Sequence, residues 1–100
     1  MAESPIVLSV VIEAVQGREA DLAALLSSLL APTRTEPGCI TYELSRSTEK
    51  PGTFLFSEKF ADQAALDAHI ASAHFQAFLK KREADDPIAA QTVTRWAPIA

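Results

Sequence analysis

Apolar residues alternate from Ile6 to Ala14, with Ile6, Leu8, Val10 and Ile12 on the even positions and Ser9 and Glu13 among the odd ones. A period of two predicts a β-strand with one buried face and one mixed face. After Gly17 the period changes. From Arg18 onward Leu22, Leu25, Leu26, Leu29 and Leu30 recur at helical spacing, which predicts an amphipathic helix facing the core. Pro32 is expected to stop or kink that helix because its ring clashes with the preceding turn, leaving room for one further turn to about Thr35. Two strands follow, Cys39–Ser45 and Thr53–Phe60, joined across the polar segment Thr48–Gly52 as an antiparallel hairpin. In the second strand Phe54, Phe56, Glu58 and Phe60 share one face, and Thr53, Leu55, Ser57 and Lys59 share the other. Asp62 suits a helix N-cap and Ser72 a second one, so a helix to about Ala71 is followed by another from Ala73 to about Ala84. That second helix buries Phe75, Phe78 and Leu79. Asp85-Asp86-Pro87 ends it, and Gln91–Ala97 reads as a last strand with Val93 and Trp96 on opposite faces.

The order β-α-β-β-α-β predicts an α+β domain of the ferredoxin-like type, its helices covering one face of a four-stranded antiparallel sheet. A chain of 100 residues with 48% hydrophobic content suits one domain spanning residues 1–100. Apolar residues on both strand faces would leave an exposed patch on the uncovered side, so a homodimer formed through the sheet is expected. The net charge of −4 arises from 13 acidic and 9 basic residues mixed along the chain, which disfavours nucleic acid as a partner. Met1–Pro5 lacks a basic region, and the apolar run after it is interrupted by Ser9 and Glu13. Neither a signal peptide nor a membrane span is expected there. A single cysteine, Cys39, suits a reducing compartment, and the expected location is the cytoplasm. With no local base or helix amino terminus beside it, Cys39 reads as a small buried side chain opening a strand.

Two residue types carry candidate chemistry. His69 lies at the margin of the buried helical stripe, near Ala65 and Ile70, where an imidazole can act as acid, base or hydrogen-bond partner of a phenolic ligand near neutral pH. It can equally be a capping or surface histidine. Glu58 points where three phenylalanines point, so burial raises its pKa unless a donor compensates. His69 is the obvious donor, and a Glu58–His69 pair would fix the imidazole tautomer. Pairing of Glu58 with Arg46, Arg95 or Lys59 is the alternative. His74 falls in the first turn of its helix, where the helix dipole opposes a positive charge. Because it is five residues from His69, with a break near Ser72 expected to divert the two further, no metal site is expected. Phe54, Phe56, Phe60, Phe75 and Tyr42 are core residues by default, and with His74 they are also the candidates to line a pocket for a flat polycyclic or quinol-like ligand. Tyr42 can instead belong to a dimer interface.

Three blocks in succession carry a family resemblance. Glu36-Pro37-Gly38-Cys39-Ile40-Thr41-Tyr42-Glu43-Leu44, then Phe54–Asp62, then Ala65-Leu66-Asp67-Ala68-His69-Ile70-Ala71-Ser72-Ala73-His74-Phe75 resemble the corresponding segments of the antibiotic biosynthesis monooxygenase family. The resemblance implies dimeric α/β barrels in which two sheets pack face to face. It also implies oxidation of a phenol, quinol or polycyclic aromatic by molecular oxygen, with no flavin, haem or metal cofactor. The absence of a Gly-x-Gly-x-x-Gly fingerprint and of a P-loop agrees with this. A haem-degrading branch of the same superfamily uses a first-strand asparagine with a helical tryptophan and histidine. Here Ile6–Ala14 contains no asparagine and Trp96 sits in the last strand, so that activity is not expected. Other relatives act as isomerases or have no enzymatic role. Two functions follow: a cofactor-independent monooxygenase with His69 and Glu58 as its catalytic pair, or a small-molecule-binding or stress-response dimer without turnover.

Overall fold

The computed structural model describes residues 4–99. Met1–Glu3, most of the amino-terminal segment in which no signal peptide is expected, lies outside that range. The elements run β1 (Ile6–Ala14), α1 (Glu19–Ser27), α2 (Leu30–Arg34), β2 (Cys39–Arg46), β3 (Thr53–Phe60), α3 (Gln63–Ala71), α4 (Ala73–Ala84) and β4 (Ile88–Trp96). The four strands form one antiparallel sheet in the order β2-β3-β1-β4, the ferredoxin-like arrangement. None of the described helices is long and apolar enough to cross a membrane.

Register follows from the alternating pattern. Leu8 of β1 lies opposite Glu58 of β3, which lies opposite Tyr42 of β2, and the next inward row is Val10, Phe56 and Leu44. All four residues of the predicted β3 face, Phe54, Phe56, Glu58 and Phe60, are buried against the helices. The three phenylalanines meet Leu22, Leu26 and Leu29 on the helical side in one core cluster. Each such side chain, fully buried, contributes about 1.5–3 kcal/mol.

Two boundaries differ from expectation. The first helix breaks at Ser28–Leu29, before Pro32, and α2 resumes at Leu30. The restart places Pro32 in the first turn of α2, where a backbone N–H has no helical partner to lose. Ser28 secures the break by donating its hydroxyl to the Leu25 carbonyl at 2.6 Å. The last strand begins at Ile88 rather than Gln91. Asp86 receives the Ile88 amide at 3.0 Å and Val15 donates to the Pro87 carbonyl, so pairing with β1 starts directly after the proline. A bulge between Glu13 and Ala14 absorbs the offset.

Candidate active site

A cavity of about 210 Å³ lies between the sheet and α3–α4. Its floor is Leu8, Val10, Phe56 and Glu58. Tyr42, His69 and Phe75 form its inner wall, and Ile70, Leu79, Arg82, Gln91 and Val93 surround its mouth. Ile70, Leu79 and Val93 are exposed large apolar residues, Leu79 against the expectation that α4 buries it, so the opening itself is greasy.

His69 is placed by its two flanking caps. Asp62 accepts the Ala65 amide at 2.8 Å and starts α3, and Ser72 both closes α3 and caps α4 through the Phe75 amide. The His69 ring is 2% exposed and sits in an aromatic cage, with ring centroids of Phe75, Phe60 and Tyr42 at 4.9, 5.1 and 5.5 Å. Its Nδ1 lies 3.0 Å from Glu36 Oε2, and its Nε2 is buried without a hydrogen-bond partner. A carboxylate only accepts, so the network assigns a proton to Nδ1, and in the neutral imidazole Nε2 then keeps a free lone pair.

Glu36 reaches His69 because of Gly38. A Cβ on Gly38 would stand 2.2 Å from the Ala65 Cβ, so only glycine lets the Pro37-Gly38 corner rest against α3. Ala65 and His69 are one helical turn apart on the same face. Docking Gly38 on Ala65 therefore delivers Glu36, two residues earlier, to His69. His74 completes the arrangement, with Nε2 2.5 Å from the same Glu36 oxygen.

The Glu58–His69 pair expected from the sequence is thus replaced by Glu36–His69, across 33 residues of chain. Glu58 is 7% exposed and its carboxyl has no hydrogen bond to any described residue. Burial, reinforced by the Glu36 charge, pushes its pKa up to about 7. Tyr42, opposite it in register, is pushed above the usual phenol range, first by burial and then by Glu58. Burial likewise pushes the Cys39 thiol up, away from thiolate chemistry.

Of the residues proposed to line a pocket, Phe56, Glu58, Tyr42, His69 and Phe75 border the cavity. Phe54, Phe60 and His74 do not. Phe54 lies two rows further along β3 than Glu58, under the Arg46 guanidinium at 5.1 Å from its ring centre, and Phe60 is fully buried behind His69. His74 faces Glu36. The expectation that the break at Ser72 carries the histidines apart is also corrected, since the bend turns both rings onto one carboxylate, with centroids 6.1 Å apart. Glu36, His69 and His74 present ligand atoms within 4.8 Å of one another. Without an ion, the contacts of 2.5 and 3.0 Å on a single Glu36 oxygen are hydrogen-bond spacings.

Residues 5–81 match the family model for antibiotic biosynthesis monooxygenase. The chain belongs to this family. Both ends of the Glu36–His69 pair and the inward carboxyl of Glu58 lie inside the matched segment. The chain is 34% identical to an uncharacterised Synechocystis protein over 80 residues, 80% of this chain and 54% of that protein. It thus spans about half the length of that relative. It is 33% identical over 76 residues to YcnE of Bacillus subtilis, which carries a provisional monooxygenase name, covering 76% of this chain and 80% of the relative. The crystal structure of PA3566 from Pseudomonas aeruginosa superposes with a TM-score of 0.93 at 28% identity, covering 100% of this chain and 99% of that one.

Proposed function

We propose that this protein is a cofactor-independent monooxygenase that oxidises a phenolic or quinol-type aromatic with molecular oxygen, using His69 Nε2 as the base for the substrate hydroxyl. The observation that carries the reading is the division of labour on His69: Nδ1 is held by Glu36, and Nε2 is left unpartnered in a residue that walls an apolar cavity. Glu36 is a positioning residue, fixing the tautomer as a carboxylate does for other catalytic histidines. The family match supports monooxygenase chemistry of this general kind.

Transfer of the hydroxyl proton to Nε2 concentrates electron density on the ring, and the substrate anion then reduces oxygen. A carbon–oxygen bond forms and the oxygen–oxygen bond breaks. One oxygen atom stays in the product and the other leaves as water, all four electrons coming from the substrate. Apolar walls keep bulk water from the anion. Size narrows the substrate: a dry cavity of roughly 150 Å³ holds one benzene ring. About 210 Å³ therefore suits one ring or two, and a larger polycycle would extend through the mouth between Leu79 and Val93.

The uncovered sheet face supports a homodimer. Val7 pairs with Trp96 and Val11 with Leu55 across that face, and Trp96 is 55% exposed. Sedimentation at micromolar concentration should give a dimer, and a monomer would remove this part of the reading.

Oxygen consumption by chelator-dialysed protein, supplied with a panel of hydroquinones and anthrones, tests the activity. His69→Ala should lower turnover by about 10²–10⁴ while leaving the protein folded. Binding without oxygen uptake by any member of the panel would favour the small-molecule-binding dimer instead.

A further inference from the structure

We propose that Glu58 is a hydrogen-bond donor to a carbonyl oxygen of the ligand, so that the site selects aromatics carrying both an acidic hydroxyl and a carbonyl. The inference deepens the reading above and takes from it the position of the ligand hydroxyl at His69. Glu58 stands on the helix-facing side of β3, borders the cavity and is 7% exposed, yet no described residue donates to it. A carboxylate left in that state suffers the full desolvation cost, whereas the protonated acid needs only one acceptor.

No described residue forms a hydrogen bond with the Glu58 carboxyl. From β1 it meets Leu8 and from β2 Tyr42, whose phenol stays protonated. Cys39, also on β2, stays a thiol. His69 on α3 commits Nδ1 to Glu36, and the Glu36 charge favours a neutral Glu58. On α4, Arg82 also borders the cavity, but its guanidinium is taken by Asp86 at 3.1 Å and Gln91 at 3.2 Å, and His74 is taken by Glu36. The β4 wall contributes Gln91 and Val93, neither titratable. An acid with a free O–H, in a cavity also walled by His69, calls for a ligand with an acceptor at one point and a donor at another. Hydroxy ketones and keto–enol aromatics of one or two rings have that pairing.

A matched pair of ligands that cannot be turned over tests this independently of monooxygenation. Acetophenone and ethylbenzene have nearly the same shape and differ in the carbonyl. Their dissociation constants, measured by calorimetry, give a preference ratio for each variant, and water-to-protein transfer differences cancel when ratios are compared. Glu58→Leu should lower the acetophenone preference about tenfold, as expected for one buried hydrogen bond. Glu58→Gln, which retains a donor in the amide, should keep most of it. In the wild type the preference should fall as pH rises through about 7, because the donor is lost on ionisation. An unchanged ratio in Glu58→Leu, or a wild-type ratio that is flat across that pH range, would overturn the proposal. Either result would leave the His69 reading standing, since neither ligand carries a hydroxyl.

Discussion

Two glutamates flank the site, Glu36 against His69 and Glu58 on the cavity floor, and their surroundings treat them in opposite ways. At the corner before β2, Glu36 meets two imidazole nitrogens on a single oxygen, at 3.0 and 2.5 Å. On the floor of the cavity, Glu58 meets Leu8, Tyr42 and Phe56 and has no polar partner among the described residues. The same side-chain chemistry is an acceptor in the first place and, in the proposal made above, a donor in the second. Environment, rather than residue type, divides the two, and the proposed pairing of an oriented base with a neutral acid rests on that division.

The contrast breaks most visibly through stability. Glu58 has its folded pKa raised from 4.5 to about 7, so the folded chain holds a proton that the unfolded chain has released in between. Its contribution is fully present below the unfolded value and is lost as pH rises through the folded one. Denaturant unfolding should show wild-type stability falling relative to Glu58→Gln by about 3 kcal/mol between about pH 4 and about pH 8. A pH-independent difference would mean that Glu58 has a partner. The acceptor side is tested by Glu36→Gln, whose amide can present either oxygen or nitrogen to His69. Turnover should drop about 10–100-fold, as for other residues that orient a functional histidine, with little change in KM. A loss confined to KM would move Glu36 into substrate binding. Gly38→Ala should do damage of both kinds, since its Cβ would collide with Ala65 at 2.2 Å. Levering the corner off α3 should cost about 1–3 kcal/mol of stability and carry Glu36 away from His69. Full stability and activity in that variant would show that the corner has another way to seat.

Much of the frame could be read from the chain. Alternation on β3 correctly turned Glu58 inward, and the two capping residues Asp62 and Ser72 set the limits of α3 and α4, because both signals are local. The helix break at Ser28 and the early start of β4 are not local signals. Pro32 clashes with the turn before it only in a continuous helix, and the restart at Leu30 makes its missing N–H harmless. Ala90 carries little strand preference of its own and is recruited by pairing with β1, while Ala89 is the residue skipped at the bulge. The site was half legible. His69 stands out by its place on the buried stripe, but the glutamate it meets is Glu36 and not Glu58. Helical spacing cannot report a contact 33 residues away, nor show that a bend at Ser72 brings two histidines together. Gly38 was the available clue. Its backbone does not adopt positive φ, so the glycine marks a close approach rather than a special turn, and what it approaches is the face of α3 that bears His69.

Nitrogen-detected NMR of His69 measures the central claim most directly, because it reports which ring nitrogen carries the proton in the resting protein. The account predicts a proton on Nδ1, hydrogen-bonded to Glu36, and an unprotonated Nε2, with that assignment lost or mixed in Glu36→Gln. A proton found on Nε2 in the wild type would leave the cavity without a base and contradict the account.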